Sequence, residues 1–464
     1  MMNNENNVSG ENVVREENTA KNEIKAEENT IVETPIESEA PKPKKKALRR
    51  GVPVWVLIIS IFLAALITFQ TTFVILAGKY GRELNLFRAQ RSTVSPKLGK
   101  AYTLIDEISS LFEENYIYEL DYDAMIERIL YDYAYETNDR YAQYITADEW
   151  EEEQQVSQGN SAGIGVMIVP VDIGANDTVV GGLYITRVMN DGPSQKAGLS
   201  RGDVIIAVDD KNIIGMKYDD VLALTPGESG STVKITVLRN GEELCFDVVR
   251  GSYTYETVDY KMIEKDGSKI GYINITEFYE ITVEQFKNAV EELKADGCDG
   301  LVFDMRGNPG GYLSSVYYIL DYILPTGPVV KLTYADGKEE TFSSDWRCIS
   351  GIPMAVVVND GTASAAELFT AALKDYNYAT VVGTKTYGKG CGQDIFPLSN
   401  GGYVKLTTFL YSPPFSGNYD GVGIIPDVNV ELEGDAAIKN IFILTEEEDT
   451  QLSAAINNIL NKIK

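Results

Sequence analysis

The run from Pro53 to Leu76, PVWVLIISIFLAALITFQTTFVIL, constrains this chain more than any other stretch. It holds no charged residue and is long enough to cross a bilayer as a helix. A cleaved leader would be shorter and end at small residues, so a retained anchor at 51–77 is expected. PKPKKKALRR precedes the run, and the excess of Lys and Arg places the N-terminus in the cytoplasm. Lys79, Arg82, Arg88 and Arg91 beyond the run offset part of that bias. Residues 1–40 carry ten Glu against Arg15, Lys21 and Lys25, with no apolar periodicity. Residues 1–50 are therefore expected as a disordered acidic tail closed by a basic juxtamembrane cluster. Everything after the anchor lies outside the plasma membrane in this reading.

Of 464 residues, none is histidine. That removes the commonest general base near neutral pH and every imidazole-ligated metal site. Cys245, Cys298, Cys348 and Cys391 are far apart and form no CxxC, so a zinc site is not expected. A net charge of −28 argues against a nucleic-acid partner. The sequence implies no metal or organic cofactor.

Residues 95–160 read as helical, since LIDEISSLFEENY and YDAMIERILYDYAY repeat apolar residues at three- and four-residue spacing. From 161 to 252 the texture becomes short strands and turns. Asn240-Gly241 between STVKITVLR and EELCFDVVR is a hairpin signal. From 253 to 440 strands alternate with helices, and apolar runs such as GLVFDM and MAVVVND predict an α/β layer with buried strands. A C-terminal helix is expected over 441–464. Apolar spacing at 104–135 and 446–464 would also suit pairing into a homodimer.

Three stretches of the α/β part carry chemistry. In NDGTASAAELFTAALKD, Ser364 sits where a loop enters a helix, and the Ala365 amide there could face a developing oxyanion. Thr362 or Ser364 capping the helix explains the same string. In RGNPGG, Arg306–Gly311, glycines leave backbone amides accessible, though the string is also plain turn chemistry. GTKTYGKGCGQ fits most of a phosphate-binding loop from Gly383 to Lys389, but Gly390 stands where a hydroxyl is needed. Lys389 has another use: a lysine whose pKa falls on burial can take a serine's proton, and the Gln393 amide could orient it without holding the proton on. Cys391 is the weaker nucleophile candidate because it lies within a glycine turn.

GPSQKAGLSRGDVIIAVDD resembles a PDZ domain, which implies carboxylate capture by the loop Gly163, Ile164 and Gly165. FDMRGNPGG, NDGTASAAELFTAALKD and GTKTYGKGCGQ, in this order, resemble the carboxyl-terminal processing (tail-specific) proteases, Ser-Lys endopeptidases with a PDZ insert. The resemblance runs from about Tyr102 to Val430 and implies a crotonase-like core of mixed sheet and helices. It also implies Ser364 as nucleophile, Lys389 as base, Gln393 as the residue that positions it, and Gly310 with Ala365 as the oxyanion hole. Ala366 stands where the family often has a second serine, and Cys391-Gly392 replaces a more usual Ser-Val. The expected protein is a single-pass, membrane-anchored serine endopeptidase. It would cut extracytoplasmic proteins at or near free apolar C-termini recognised by the PDZ module. A catalytically silent PDZ adaptor and a crotonase-like acyl-transfer enzyme are the alternatives.

Overall fold

The structure is a computed structural model and describes residues 96–345 and 351–464. The expected tail and anchor, 1–77, lie outside the described residues, and among those residues no helix is long and apolar enough to cross a membrane.

A six-stranded sheet organises the α/β part. Its order is Val258–Lys265, Ser268–Ile275, Gly300–Asp304, Met354–Val358, Ala379–Gly383 and Val428–Asn429. The first pair is an antiparallel hairpin and the rest are parallel. Gly300–Asp304 and Met354–Val358 are buried along their whole length, as the apolar runs Leu301–Phe303 and Met354–Val358 require when both faces are covered. The helices Glu280–Ala295, Leu313–Ile323 and Ala365–Asp375 close one face around Phe278, Phe286, Phe303 and Phe369. Each such side chain contributes about 1.5–3 kcal/mol on burial.

The helix Thr450–Ile463 closes the other face, laying Leu452, Ala455, Ile456, Ile459 and Leu460 on Ile270, Val302, Ala355, Val357 and Val382. Its apolar stripe is thus occupied by its own sheet, which corrects the expectation that it serves pairing between copies. The helices Pro96–Asn115 and Tyr122–Tyr135 differ. Leu104, Ile105, Ile108, Leu111, Phe112, Ile126 and Ile129 on them are exposed.

A second sheet packs beside the first. Tyr403–Ser412 pairs with Cys391–Pro397 along one edge and with Gly327–Tyr334 along the other, which continues to Glu339–Ser344. Gln143–Ile145, from the start of the described chain, adds itself antiparallel to residues 403–405.

Residues 166–249 form a separate β-rich module with its own core, including Leu183, Ile185, Ile205, Val233, Ile235 and Val248. Its strands run in the order Val166–Ile173, Val179–Val188, Val204–Val208, Thr232–Arg239 and Glu242–Val249. The last two meet at Asn240 and Gly241, with φ of 53° and 82°, the paired positive values of a type I′ hairpin turn. A two-stranded ribbon, Asn160–Gly163 with Gly251–Thr254, carries the chain in and out of the module.

Candidate active site

Two strand-to-helix loops meet above the central sheet. In the loop after Gly300–Asp304, Asn308 donates to the Ile275 carbonyl at 2.8 Å and accepts from the Gly310 amide at 2.8 Å. In the loop after Met354–Val358, Asn359 Oδ1 accepts from Gly307 and Gly361 amides at 2.9 and 3.1 Å, and Ala363 N–H donates to the Asn308 carbonyl at 2.9 Å. Thr362 Oγ1 donates to the Met305 carbonyl at 2.8 Å. The two loops are thereby stitched into one platform.

Ser364 stands on that platform with φ 55° and ψ −120°. A non-glycine residue held there costs roughly 1–3 kcal/mol, which the surrounding bonds must offset. A sharp strand-to-helix turn of this kind is also the setting in which some enzymes expose a nucleophile. Neither Thr362 nor Ser364 donates or accepts as a helix cap through its hydroxyl; the Glu367 amide pairs with the Ser364 carbonyl instead, at 2.9 Å. Tyr411 Oη lies 3.3 Å from Ser364 Oγ and donates to the Lys389 carbonyl at 2.6 Å. Burial raises the Tyr411 phenol's pKa, so it stays a neutral hydroxyl.

Glu367 joins Ser364 to Lys389. Its side chain is fully buried, and its carboxylate accepts from four donors. Oε2 takes the Ser364 and Lys389 amides at 2.9 and 2.8 Å. Oε1 takes Thr386 Oγ1 and the Gly388 amide at 2.6 and 2.7 Å. One carboxylate thus holds both backbones. A Glu three residues after Ser is the sequence mark of a capping box; nothing in that mark reveals the loop 386–389 as a second client.

Ser364, Ala365, Lys389 and Gln393 line one cleft of about 550 Å³, with Gly311, Tyr312, Lys405 and Tyr411. Gly310 lies against its floor: a Cβ there would fall 2.6 Å from Ser364 Cβ and 2.9 Å from the Ala365 nitrogen. The Ala365 and Gly311 amides make no hydrogen bond among the described residues, whereas that of Gly310 is taken by Asn308. Burial holds the Lys389 ammonium below the ordinary lysine range; Lys405 and Arg140 push the same way, and Cys391 and Asp139 oppose. Its Nζ makes no hydrogen bond or ion pair among the described residues and rests 4.3 Å from the centre of the Tyr141 ring. Gln393 Nε2 donates to Thr407 Oγ1 at 3.0 Å and lies 3.7 Å from Cys391 Sγ, and no hydrogen bond joins it to Lys389. Burial pushes the Cys391 thiol up, which disfavours a thiolate there.

Gly163 ends the ribbon strand Asn160–Gly163, Ile164 and Gly165 lead from it into the β-rich module, and none of the three lines this cleft. The Ile164 and Gly165 carbonyls accept from Ser194 and Met189 amides at 2.9 and 3.0 Å. Their own N–H groups make no hydrogen bond among the described residues.

Behind the platform, Arg306 is buried between Asp304 at 2.6 Å and Asp449 at 2.7 Å. It also donates to Gln451 at 3.2 Å, tying the RGNPGG loop to the start of the C-terminal helix.

Residues 269–430 match peptidase family S41, and residues 162–249 match the PDZ domain. A probable CtpA-like serine protease of Staphylococcus haemolyticus is 33% identical over 64% of this chain and 58% of its own length. The carboxy-terminal processing protease CtpB of Bacillus subtilis is 29% identical over 74% of this chain and 69% of its own. Among solved structures, an S41 protease from Bacteroides fragilis is 18% identical, covering 75% of this chain and 93% of that one at a TM-score of 0.52, a likeness of fold. The chain thus spans less than two thirds of the length of the first of these relatives.

Proposed function

From the premise that this chain belongs to peptidase family S41 and carries a PDZ domain, we propose that it is a serine endopeptidase of the carboxyl-terminal processing type. The observation that carries this reading is the Glu367 carboxylate, which binds the amides of Ser364 and Lys389 on the wall of a shared cleft. A lone helix cap has no use for the second of these.

In this reading Ser364 Oγ attacks the scissile carbonyl, and Lys389, its pKa lowered chiefly by burial, takes its proton and later passes it to the leaving amine. The Ala365 amide receives the oxyanion with that of Gly310, which shares its proton between Asn308 and the incoming charge; each such donor is worth roughly 10²–10³ in kcat. Gln393 turns from Thr407 to hold the lysine when substrate enters. The core is crotonase-like. The free Ile164 and Gly165 amides, with Gly163, receive the C-terminal carboxylate of a protein whose apolar tail adds beside the module's edge strand. The span at 51–77 anchors the chain in the plasma membrane with residues 1–50 in the cytoplasm, and the exposed faces of 96–135 pair two copies.

One observation favours the silent-adaptor reading: Lys389 Nζ is not hydrogen-bonded to Ser364. The test incubates the full chain, Ser364→Ala and Lys389→Ala with an unstructured protein ending in apolar residues, and reads fragments by mass spectrometry. Cleavage by wild type alone is expected. Tail binding without cleavage by any form overturns the protease reading in favour of the adaptor. Amidating the substrate's C-terminus should sharply weaken binding; equal affinity for both forms rejects carboxylate capture.

A further inference from the structure

The helical segment enters the active site at the turn Asp139-Arg140-Tyr141. Asp139 accepts from the Thr407 amide at 2.7 Å, from Thr407 Oγ1 at 3.0 Å and from the Tyr141 amide at 3.0 Å. Burial works to raise its pKa, but these bonds, Thr407's first, hold it below the ordinary carboxylate range. Thr407 Oγ1 is also the acceptor for Gln393 Nε2. Arg140 bonds the Tyr387 hydroxyl and lies 5.0 Å from the Tyr141 ring centre and 5.2 Å from that of Tyr387. The turn is therefore clamped on both sides, and what it presents to Lys389 is the face of Tyr141, 4.3 Å from Nζ.

We infer that Tyr141 is a positioning residue for the general base, its ring face seating the Lys389 amine inside the cleft. This rests on the protease reading above. A buried amine that must lose its proton cannot rest on a carboxylate, which would keep it charged, and an empty apolar wall would not hold it in place. An aromatic face does the intermediate thing: it attracts the ammonium by its quadrupole and offers no lone pair that fixes the proton. The charged and titratable groups facing Lys389 are Asp139, Arg140, Cys391 and Lys405. Glu367 and Tyr411 hold its backbone, and Asp420 lies near Tyr141. Glu153 and Asp394 line the same cleft.

The test compares wild type, Tyr141→Phe and Tyr141→Leu in the full chain. Two readouts are taken: the pH profile of kcat and kcat/KM on the tailed substrate, and the Lys389 titration by NMR of 13Cε-labelled lysine, assigned by its loss in Lys389→Met. Phenylalanine keeps the ring and should reproduce the wild-type titration and acid limb. Leucine keeps the burial without the quadrupole. It should lower the Lys389 pKa, and with it the acid limb, by roughly 0.4–1.5 units. Plateau kcat should fall by roughly tenfold with KM little changed, since a misplaced base impairs the chemical step. If leucine leaves the titration where wild type has it, or phenylalanine shifts it as far as leucine does, the inference is overturned. The NMR arm needs no turnover. Inactivity of every form with the predicted shift present would sink the protease reading and leave the seat for the amine standing. Thermal melts of the three forms guard against a folding defect: a leucine variant that melts far below wild type is replaced by Tyr141→Met, with the same expectation.

Discussion

Replacing Glu367 by Gln perturbs the shared support of Ser364 and Lys389 with almost no change of shape. The amide group should settle on the Oε1 side, because Thr386 Oγ1 can rotate to accept from it, whereas the Ser364 and Lys389 amides can only donate. The Gly388 N–H, now facing a donor, is left buried and unpaired at a cost of about 1–3 kcal/mol. The two bonds kept on the other side lose their charge assistance, roughly 1 kcal/mol apiece. The total is about 3–5 kcal/mol, which for an α/β core of this size lowers Tm by about 6–20 °C. Loosening the backbones of Ser364 and Lys389 should also cut kcat on the tailed substrate by about 10²-fold. Thermal melts followed by circular dichroism and steady-state kinetics measure the two. A variant melting within about 2 °C of wild type, with kcat within about threefold, would show that the carboxylate does not hold the two loops together.

Three other perturbations have defined outcomes. Arg306→Met leaves Asp304 and Asp449 buried without their cation, at a cost of about 3–5 kcal/mol; hydrogen exchange over Thr450–Ile463 should quicken, and unchanged protection refutes the tie. Gly310→Ala puts a Cβ 2.6 Å from that of Ser364 at φ +108°, so turnover should fall by about 10²-fold or more; near-normal rates would mean the floor can yield. Lys389, its folded pKa lowered chiefly by burial, binds a proton less readily than in the unfolded chain. Its contribution to stability therefore rises with pH from the lowered value up to the ordinary one near ~10.4, and below that window the penalty is complete. Lys389→Met should accordingly gain most over wild type at neutral pH, with the gain shrinking toward pH ~10; denaturant melts at several pH values test the slope, and a pH-independent difference rejects it.

What the sequence could reveal is what local pattern encodes. Apolar runs at 301–303 and 354–358 announce buried parallel strands, and Asn240-Gly241 announces a hairpin, because period and turn chemistry are properties of neighbours along the chain. Amphipathic spacing in Thr450–Ile463 was equally plain, but not the identity of the surface it covers, since a stripe does not say whether its own sheet or another copy meets it. Glu367 reads as a cap for its own helix; its bonds to Thr386, Gly388 and Lys389 come from a loop 19–22 residues further on. The bond from Gln393 to Thr407 turns on a slip in strand register between Gly392 and Gln393, a bulge that re-aims the side chain. No composition or motif marks Asp139 as the partner of a threonine 268 positions away.

That last separation has a consequence for how the molecule comes into being. The turn at Asp139–Tyr141 is made first, and its Asp139 has no threonine to accept from until residue 407 has been synthesised. At 5–20 residues per second, the ribosome needs roughly 13–54 s to cover that interval. Throughout it the strand Gln143–Ile145 lacks its partner at 403–405, and Ser364 emerges before Lys389, which lines the same cleft. Assembly order therefore acts as a timer, leaving the cleft around Ser364 and Lys389 unfinished while the chain's own unfolded segments are the nearest peptides.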